Sequence, residues 1–435
     1  MSNICIIGSG YVGIASAIGL AELGHDVVGY DVLPDRVADL QRGVAPYREI
    51  GIERGLQQHL HTGRLRFVAD LHEAVREAEL ILVSVGTPSL PDGSCDLRAI
   101  NGCVDSLSAC DLNACEALVI RSTVPPGTCD GIAERLLGRV EVVFAPEFLR
   151  EGSAVDDFMK PDRTIVGAAA IPAAVAYATL FEPLQAPVML TSRRSAEMIK
   201  AASNAFLALK ISFANEIANL CDALGADSLE VLRGVGWDHR IGHAFLLPGI
   251  GFGGPCFEKD LNSLAWIAQN EGVHHELISG TLRVNERQPK RIVEILVSEL
   301  GHLGGRRIGV WGLAFKGGTD DTRDSLAMRI VQDLAARGAV IRAYDPMVRR
   351  ASLPANCALV PSAMEAADAD ALLVLTDWPE FREISPYAIA KQLTSGLVVD
   401  GRNLLDVERI TDAGLRYRGV GRCGEPISAP LPVAM

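Results

Sequence analysis

The sequence predicts an α/β protein of two Rossmann-like, doubly wound parallel-sheet domains joined by a long central helix. Three observations predict it. The N-terminus runs strand, glycine turn, helix, strand, acid. Short apolar runs with a similar layout recur from Ile308 onward. Between them, Ser195 to Leu224 keeps helical apolar spacing with few breakers. A chain of 435 residues is also too long for one ordinary core. The expected divisions are residues 1–194, 195–300 and 301–435.

The first unit opens with Ile4-Cys-Ile-Ile, which ends at Gly8-Ser-Gly-Tyr-Val-Gly13 before a helical pattern through Ala15–Leu23. Gly24 ends that helix, and Asp26-Val-Val-Gly-Tyr-Asp31 reads as a strand finishing in an acid. The whole sequence of events, rather than the GxGxxG alone, is the dinucleotide fingerprint. Its glycines admit a pyrophosphate, the helix N-terminus stabilises the negative charge, and Asp31 accepts from ribose hydroxyls. Asp31 would repel a 2′-phosphate, so the expected cofactor is NAD rather than NADP. Arg36 is either a solvated helix residue or a contact to the adenosine phosphate.

Further strand-like runs are Leu80–Val85, Ala117–Ile120 and Val140–Phe144, each followed by turn residues. Ligands of open parallel sheets bind beyond the carboxyl ends of the strands, which places Thr87, Thr123 and Glu147 at the cofactor edge. If Glu147 to Glu151 is helical, its two glutamates share a face and repel unless one has a role near substrate. Thr164 to Phe181 carries no charge but holds Gly167, Pro172 and many alanines. It reads as a strand and an alanine-rich helix rather than a bilayer span.

On the central helix, Lys200 and Asn204 share a face at i, i+4, a donor pair suited to an oxyanion or a lysine that snorkels. Downstream, Gly249-Ile-Gly-Phe-Gly-Gly-Pro-Cys256 ends a glycine-rich run in one cysteine, with Lys259 and Asp260 close behind. The glycines permit positive φ and close approach of a ligand. The run from Leu261 reads as the start of a helix, which would put Cys256 at or near its N-terminus and favour its thiolate. Taken alone, such a cysteine is as readily a small buried residue. Beyond a glycine-rich linker at 301–307 the second sheet follows, with Lys316, Arg323 and Arg402 as candidate anion ligands.

A net charge of −13 argues against nucleic acid or an anionic membrane as partner. Ten cysteines without metal-ligand spacing suggest a reducing compartment and no metal. The N-terminus enters a strand with no secretory pattern, so a cytoplasmic location is expected.

Together these stretches resemble the UDP-glucose/GDP-mannose dehydrogenase family over nearly the whole chain. The resemblance rests on Gly8–Gly13, Val85-Gly-Thr-Pro88, Arg121–Gly127, Pro146-Glu-Phe-Leu-Arg-Glu151 and Ala196-Glu-Met-Ile-Lys200 with Asn204. It continues through Arg240-Ile-Gly242, Gly251–Cys256, Lys259-Asp260, Phe315-Lys316, Asp321-Thr-Arg323 and Asp400-Gly-Arg402. It implies a four-electron oxidation of a nucleotide-sugar C6 alcohol to an acid, using two NAD in turn, with UDP-glucose going to UDP-glucuronate.

Cys256 matches the nucleophile that forms a thiohemiacetal and then a thioester. Lys200 and Asn204 match residues that stabilise an oxyanion, and Asp260, Thr123, Glu147 and Glu151 those of proton transfer and polar support. Gly8, Gly10, Tyr11, Val12, Gly13, Asp31, Arg36, Thr87, Thr123, Glu151, Lys259 and Arg323 fall to the cofactor. Substrate contacts fall to Phe148, Leu149, Arg150, Glu151, Lys200, Asn204, Phe245, Leu246, Gly249 and Gly253, with Lys316 and Arg402 at the uridine or phosphates. Arg240 matches an arginine that reaches across a dimer interface, so a homodimer or higher homo-oligomer is implied.

Two departures stand beside the nucleophile. Pro255 replaces the usual serine and removes an N–H, while Glu258 replaces a proline and would oppose thiolate formation if uncompensated. GDP-mannose or a UDP-N-acetylhexosamine stay open as substrates. So does a non-catalytic binder that kept the fold, although retention of Cys256, Lys200, Asn204 and Asp260 together counts against it.

Overall fold

The computed structural model describes residues 1–423. They form two compact units, Met1–Asn204 with Lys259–His274, and Ala205–Glu258 with the described residues from His275 onward.

The first unit carries an eight-stranded sheet: β1 (Asn3–Ile7), β2 (Asp26–Tyr30), β3 (Leu65–Val68), β4 (Leu80–Val83), β5 (Ala117–Ile120), β6 (Glu141–Phe144), β7 (Thr164–Gly167) and β8 (Val188–Thr191). Their order is β3-β2-β1-β4-β5-β6-β7-β8, parallel except for the β6–β7 pair. Alternation within each strand explains the double winding. Ile4, Ile6, Leu80, Leu82, Val119 and Val143 enter one apolar cluster, while Cys5, Ile7, Ile81, Val83, Ile120 and Phe144 enter a second. Both faces are therefore covered, as a parallel sheet requires. Each fully buried Ile or Leu contributes about 1.5–3 kcal/mol.

Register then aligns the strand ends. Ile7 pairs with Tyr30 and Val83, Val83 with Ile120, and Ile120 with Phe144. This brings Gly8, Asp31, Thr87, Thr123 and Glu147 to a common edge. The uncharged segment at 164–181 is β7 followed by a helix at Ile171–Thr179, as its glycine and proline indicated. Among the described residues no helix is long and apolar enough to cross a membrane.

The second unit holds β9 (Arg307–Trp311), β10 (Val340–Tyr344), β11 (Cys357–Leu359), β12 (Ala371–Val374), β13 (Leu397–Asp400), β14 (Arg416–Gly419) and β15 (Arg422–Cys423). The order is β11-β10-β9-β12-β13-β14-β15, with only β14–β15 antiparallel. The first four strands of each sheet are thus laid out alike. Here Asp345 follows β10 as Asp31 follows β2. Its carboxylate accepts from the N–H groups of Leu313, Ala314, Met347 and Val348 and from the Trp378 indole, at 2.8–3.1 Å. Five donors saturate it, so this acid serves the fold.

The long helix is Arg193–Leu224, starting two residues before the expected Ser195 and ending where the spacing indicated. Its buried stripe mixes alanines at 196, 208, 214 and 218 with Glu197, Lys200, Asn204, Ser212 and Asn215. Polar groups there must find partners, and those partners define the site.

Candidate active site

The turn after β1 fits a dinucleotide. Gly8 has φ +95°, and a Cβ there would lie 2.8 Å from Ser84 O. A Cβ at Gly13 would lie 1.9 Å from Gly8 O, whereas one at Gly10 would meet no atom within 4 Å. Gly8 and Gly13 let the turn close and the helix Tyr11–Glu22 approach the strand, while the open space at Gly10 admits a phosphate. Asp31 is buried and accepts from Ser9 N (2.9 Å), Leu33 N (3.0 Å) and Arg36 Nη1 (3.2 Å). Arg36 is therefore the counter-ion of Asp31. Half-buried Tyr11 accepts from Gly152 N through its hydroxyl, and its ring lies 4.6 Å from that of Tyr47, tilted by 31°. Val12 lies beside it in the first helical turn.

At the β5 edge, Thr87 Oγ1 donates to Thr123 O at 2.8 Å. Thr123, Lys259, Asp260, Ala201 and Cys95 line one small hollow. Buried Asp260 accepts from Asn204 Nδ2 at 2.6 Å and Lys259 Nζ at 2.7 Å. Buried Lys200 donates to Glu147 O at 2.7 Å and Glu147 Oε1 at 3.1 Å, and Glu147 Oε2 accepts from Leu149 N at 2.6 Å. Two of the three ammonium N–H groups are thereby used. The Phe148 ring lies 3.9 Å from the Arg163 guanidinium and 5.2 Å from the Lys200 ammonium.

The stretch from Glu147 to Arg150 is irregular rather than helical, so the expected shared glutamate face does not form. Glu147 instead turns in to Lys200, and Glu151 sits half-buried in the following turn. Arg150 is turned outward, with its guanidinium on Asp157 at 2.6–3.0 Å.

In the second unit the glycine-rich loop divides its glycines by task. Gly251 (φ +105°) and Gly254 (φ +84°) supply left-handed backbone. Gly249 and Gly253 do not; a Cβ on them would lie 3.1 Å from Gly401 O and 2.7 Å from Asp324 O. Those two positions need closeness rather than conformational freedom. The helix Phe257–Asn270 begins immediately after Cys256, four residues earlier than the expected Leu261.

Cys256 is exposed, whereas the other cysteines whose side chains are described are buried or half-buried. Burial pushes the Cys103 thiol up to about 12 and those of Cys115 and Cys357 to about 11. Cys5 and Cys129 are raised further by the same cause. Such thiols are poor nucleophiles at neutral pH. Glu258 is paired with Arg329 Nη2 at 2.8 Å, so the charge introduced near Cys256 has its counter-ion.

Phe245 takes φ +64°, and its ring lies 6.3 Å from that of Phe257; Leu246 is buried. Arg402 donates to Leu375 O (2.8 Å) and Phe315 O (3.0 Å) and lies 3.7 Å from a Gly249 Cβ position. Burial pushes Asp377 up, but Arg402, the Gly317 N–H and Lys316 outweigh it and hold the carboxyl below its ordinary value. Lys316 and Arg402 thus both act electrostatically on Asp377. Arg240 and Arg323 are exposed, each with its Nε and Nη2 on the carboxylate two residues before it, Asp238 and Asp321.

Three family models cover the chain in order. Residues 2–185 match the NAD binding domain of the UDP-glucose/GDP-mannose dehydrogenase family, 194–287 its central domain and 309–407 its UDP binding domain. The chain belongs to this family.

Members similar to it include UDP-glucose 6-dehydrogenase TuaD of Bacillus subtilis (strain 168), 40% identical over 97% of this chain and 94% of that protein. The UDP-glucose 6-dehydrogenase of Pseudomonas aeruginosa is also 40% identical, over 97% of both chains. Among solved structures, a UDP-glucose dehydrogenase from Pyrobaculum islandicum has a TM-score of 0.90 at 38% identity, covering 97% of this chain and 98% of that one. A UDP-D-ManNAc dehydrogenase from Pyrococcus horikoshii has 0.87 at 30%, covering 97% and 100%. This family member is therefore an NAD-dependent dehydrogenase with two Rossmann-like domains.

Sequence reasoning gave no role to Glu197, a fully buried carboxylate that accepts from Gly127 N (2.5 Å) and Cys129 N (2.8 Å). It fastens the loop carrying Thr123 to the helix turn before Lys200. Nor did it single out Asn215, Asn285 and Gln288, which hold the glycine-rich loop. Their signal was available in spacing: Thr281, Asn285, Gln288, Ile292 and Leu296 fall on one helical face.

Proposed function

We propose that this dehydrogenase oxidises UDP-glucose at C6 to UDP-glucuronate through a Cys256 thiohemiacetal and thioester. The observation that carries the reading is Cys256, exposed on a loop built from closely approached glycines while the other described thiols are withdrawn. The identity with UDP-glucose 6-dehydrogenases over nearly full length supports the substrate.

NAD, held by Gly8–Gly13, Asp31 and Arg36, supplies the hydride acceptor for each of two oxidations. Cys256 attacks the C6 aldehyde left by the first, forming a C–S bond and an sp³ carbon that can lose hydride. Lys200 and Asn204 donate to the C6 oxygen as its charge develops. After the second oxidation the carbon is a thioester. Asp260 or Glu147 takes a proton from the attacking water, the C–S bond breaks, and the cysteine leaves as thiolate. The balance is one alcohol, two NAD⁺ and one water giving one carboxylate, two NADH and three protons.

Lys316, Arg402 and the loop backbone at Gly249 and Gly253 bind the uridine diphosphate. Phe245 and Leu246 border the sugar, with Phe148, Leu149 and Glu151 as further substrate contacts; Lys259 and Arg323 serve the cofactor. The protein acts as a homodimer or higher homo-oligomer. The long helix supports this by leaving Phe206, Phe213, Leu220 and Leu224 exposed at near-heptad spacing. The test is turnover of UDP-glucose beside GDP-mannose and UDP-N-acetylglucosamine. Preference for either of the latter would move the substrate, and no turnover despite NAD binding would favour a binder.

A further inference from the structure

The loop Gly249–Phe252 lies in no strand, yet its backbone groups at both ends are paired. At one end, Gly249 N donates to Asn215 Oδ1 at 2.7 Å and Gly249 O accepts from Gln288 Nε2 at 3.0 Å. At the other, Phe252 N donates to Asn285 Oδ1 at 2.7 Å and Phe252 O accepts from Asn285 Nδ2 at 2.9 Å. A carboxamide offers one donor edge and one acceptor edge, as a peptide does, so Asn285 stands in for a neighbouring strand. Asn219 Nδ2 donates to Gln288 Oε1 at 3.1 Å and extends the network.

We propose that Asn285 and Gln288, braced by Asn215 and Asn219, are positioning residues that clamp the substrate loop and thereby fix the approach to Cys256. The proposal deepens the function read above and rests on it. Three of the amides are buried to 3% exposure or less. Their burial is not the most stable solution for a helix seam. Asn215 Nδ2 and Asn219 Oδ1 are buried without a hydrogen-bond partner, at about 1–3 kcal/mol each. An apolar seam would avoid that cost but would strand the loop's N–H and C=O groups.

The glycine between the two ends matches the clamp. A Cβ at Gly251 would lie 2.5 Å from Asn285 Oδ1, so only glycine lets the amide reach Phe252. The Phe252 ring in turn meets Phe257 edge-to-face, with centroids 5.8 Å apart at 83°. Phe257 directly follows Cys256. Fixing the Phe252 peptide therefore fixes the aromatic contact that anchors the residue beside the thiol.

The test uses the full chain carrying Asn285→Asp, which keeps the acceptor for Phe252 N but sets a carboxylate oxygen against Phe252 O. Gln288→Leu removes the bond to Gly249 O and the bond from Asn219 Nδ2 with similar bulk, and carries the test should Asn285→Asp unfold. Each variant is expected to raise KM for UDP-glucose about tenfold, leave KM for NAD within about twofold, and speed amide hydrogen exchange across 249–254. Unchanged exchange there, unchanged KM for UDP-glucose, or an equal rise in both KM values would overturn the clamp. A wild-type chain that turned over no nucleotide sugar would sink the proposed function, while the exchange measurement would still decide the clamp.

Discussion

Lys200 and Glu147 are each more than nine-tenths buried and face each other at 3.1 Å. Removing one member of such a pair leaves the other charge without compensation, at about 3–5 kcal/mol. Lys200→Met is accordingly expected to lower the unfolding midpoint as well as kcat, with a kcat loss of about 10²–10³ from the missing donor. Thermal unfolding and single-turnover rates on the same preparation check both. A kcat within tenfold of wild type would exclude Lys200 from the reaction.

Glu197 gives a pH-dependent case. Burial raises its carboxyl above the ordinary value despite the Gly127 and Cys129 N–H groups that favour the charge. The folded state then binds this proton more tightly than the unfolded state. Its contribution is present in full below the unfolded value and is lost as pH rises through the raised folded value. Urea unfolding of wild type and Glu197→Gln should show the wild-type advantage shrinking across that window and then levelling. An advantage that grows with pH would contradict it.

At the scale of elements, the glycine-rich loop is specified by shape. Gly251→Ala would put a side chain at φ +105° and 2.5 Å from Asn285 Oδ1. The left-handed backbone alone costs about 1–2 kcal/mol. The expected result is a fall of tenfold or more in kcat/KM for the sugar, with NAD affinity unchanged by titration. Equal loss of NAD affinity would place the damage elsewhere.

The strand-end residues of the first sheet were legible because parallel register aligns successive termini, so Asp31, Thr87, Thr123 and Glu147 needed only their positions after apolar runs. β3 and β8 escaped notice: Leu65–Val68 is broken by an exposed arginine, and Val188–Leu190 is an exposed edge. The different tasks of Gly249 and Gly251 were not legible, because what a Cβ would strike depends on distant backbone such as Gly401. The same holds for Glu258, whose charge reads as a liability until Arg329 is folded against it. Asn285 and Gln288 were visible in phase with apolar residues, but polar side chains at such positions do not announce what they bond.

For the whole molecule, the two similar half-sheets use the acid after the second strand differently. Asp31 holds a turn and Arg36 at an open glycine edge, whereas Asp345 is saturated by five donors. The proposed homodimer or higher homo-oligomer is tested at this scale. Phe213→Glu with Leu220→Glu would place charges on the exposed stripe of the long helix. Light scattering should then report loss of the dimer at low micromolar protein. A wild-type chain that is monomeric at those concentrations would contradict the assignment.

In the proposed reaction one enzyme carries out both oxidations, with Cys256 covalently holding the sugar between them. The direct measurement is NADH formed per UDP-glucose consumed, in wild type and Cys256→Ser. Wild type is expected to give two per sugar, and the variant to lose about 10³ or more in sustained turnover with no carboxylate product. One NADH per sugar in wild type, or undiminished carboxylate formation by Cys256→Ser, would contradict it.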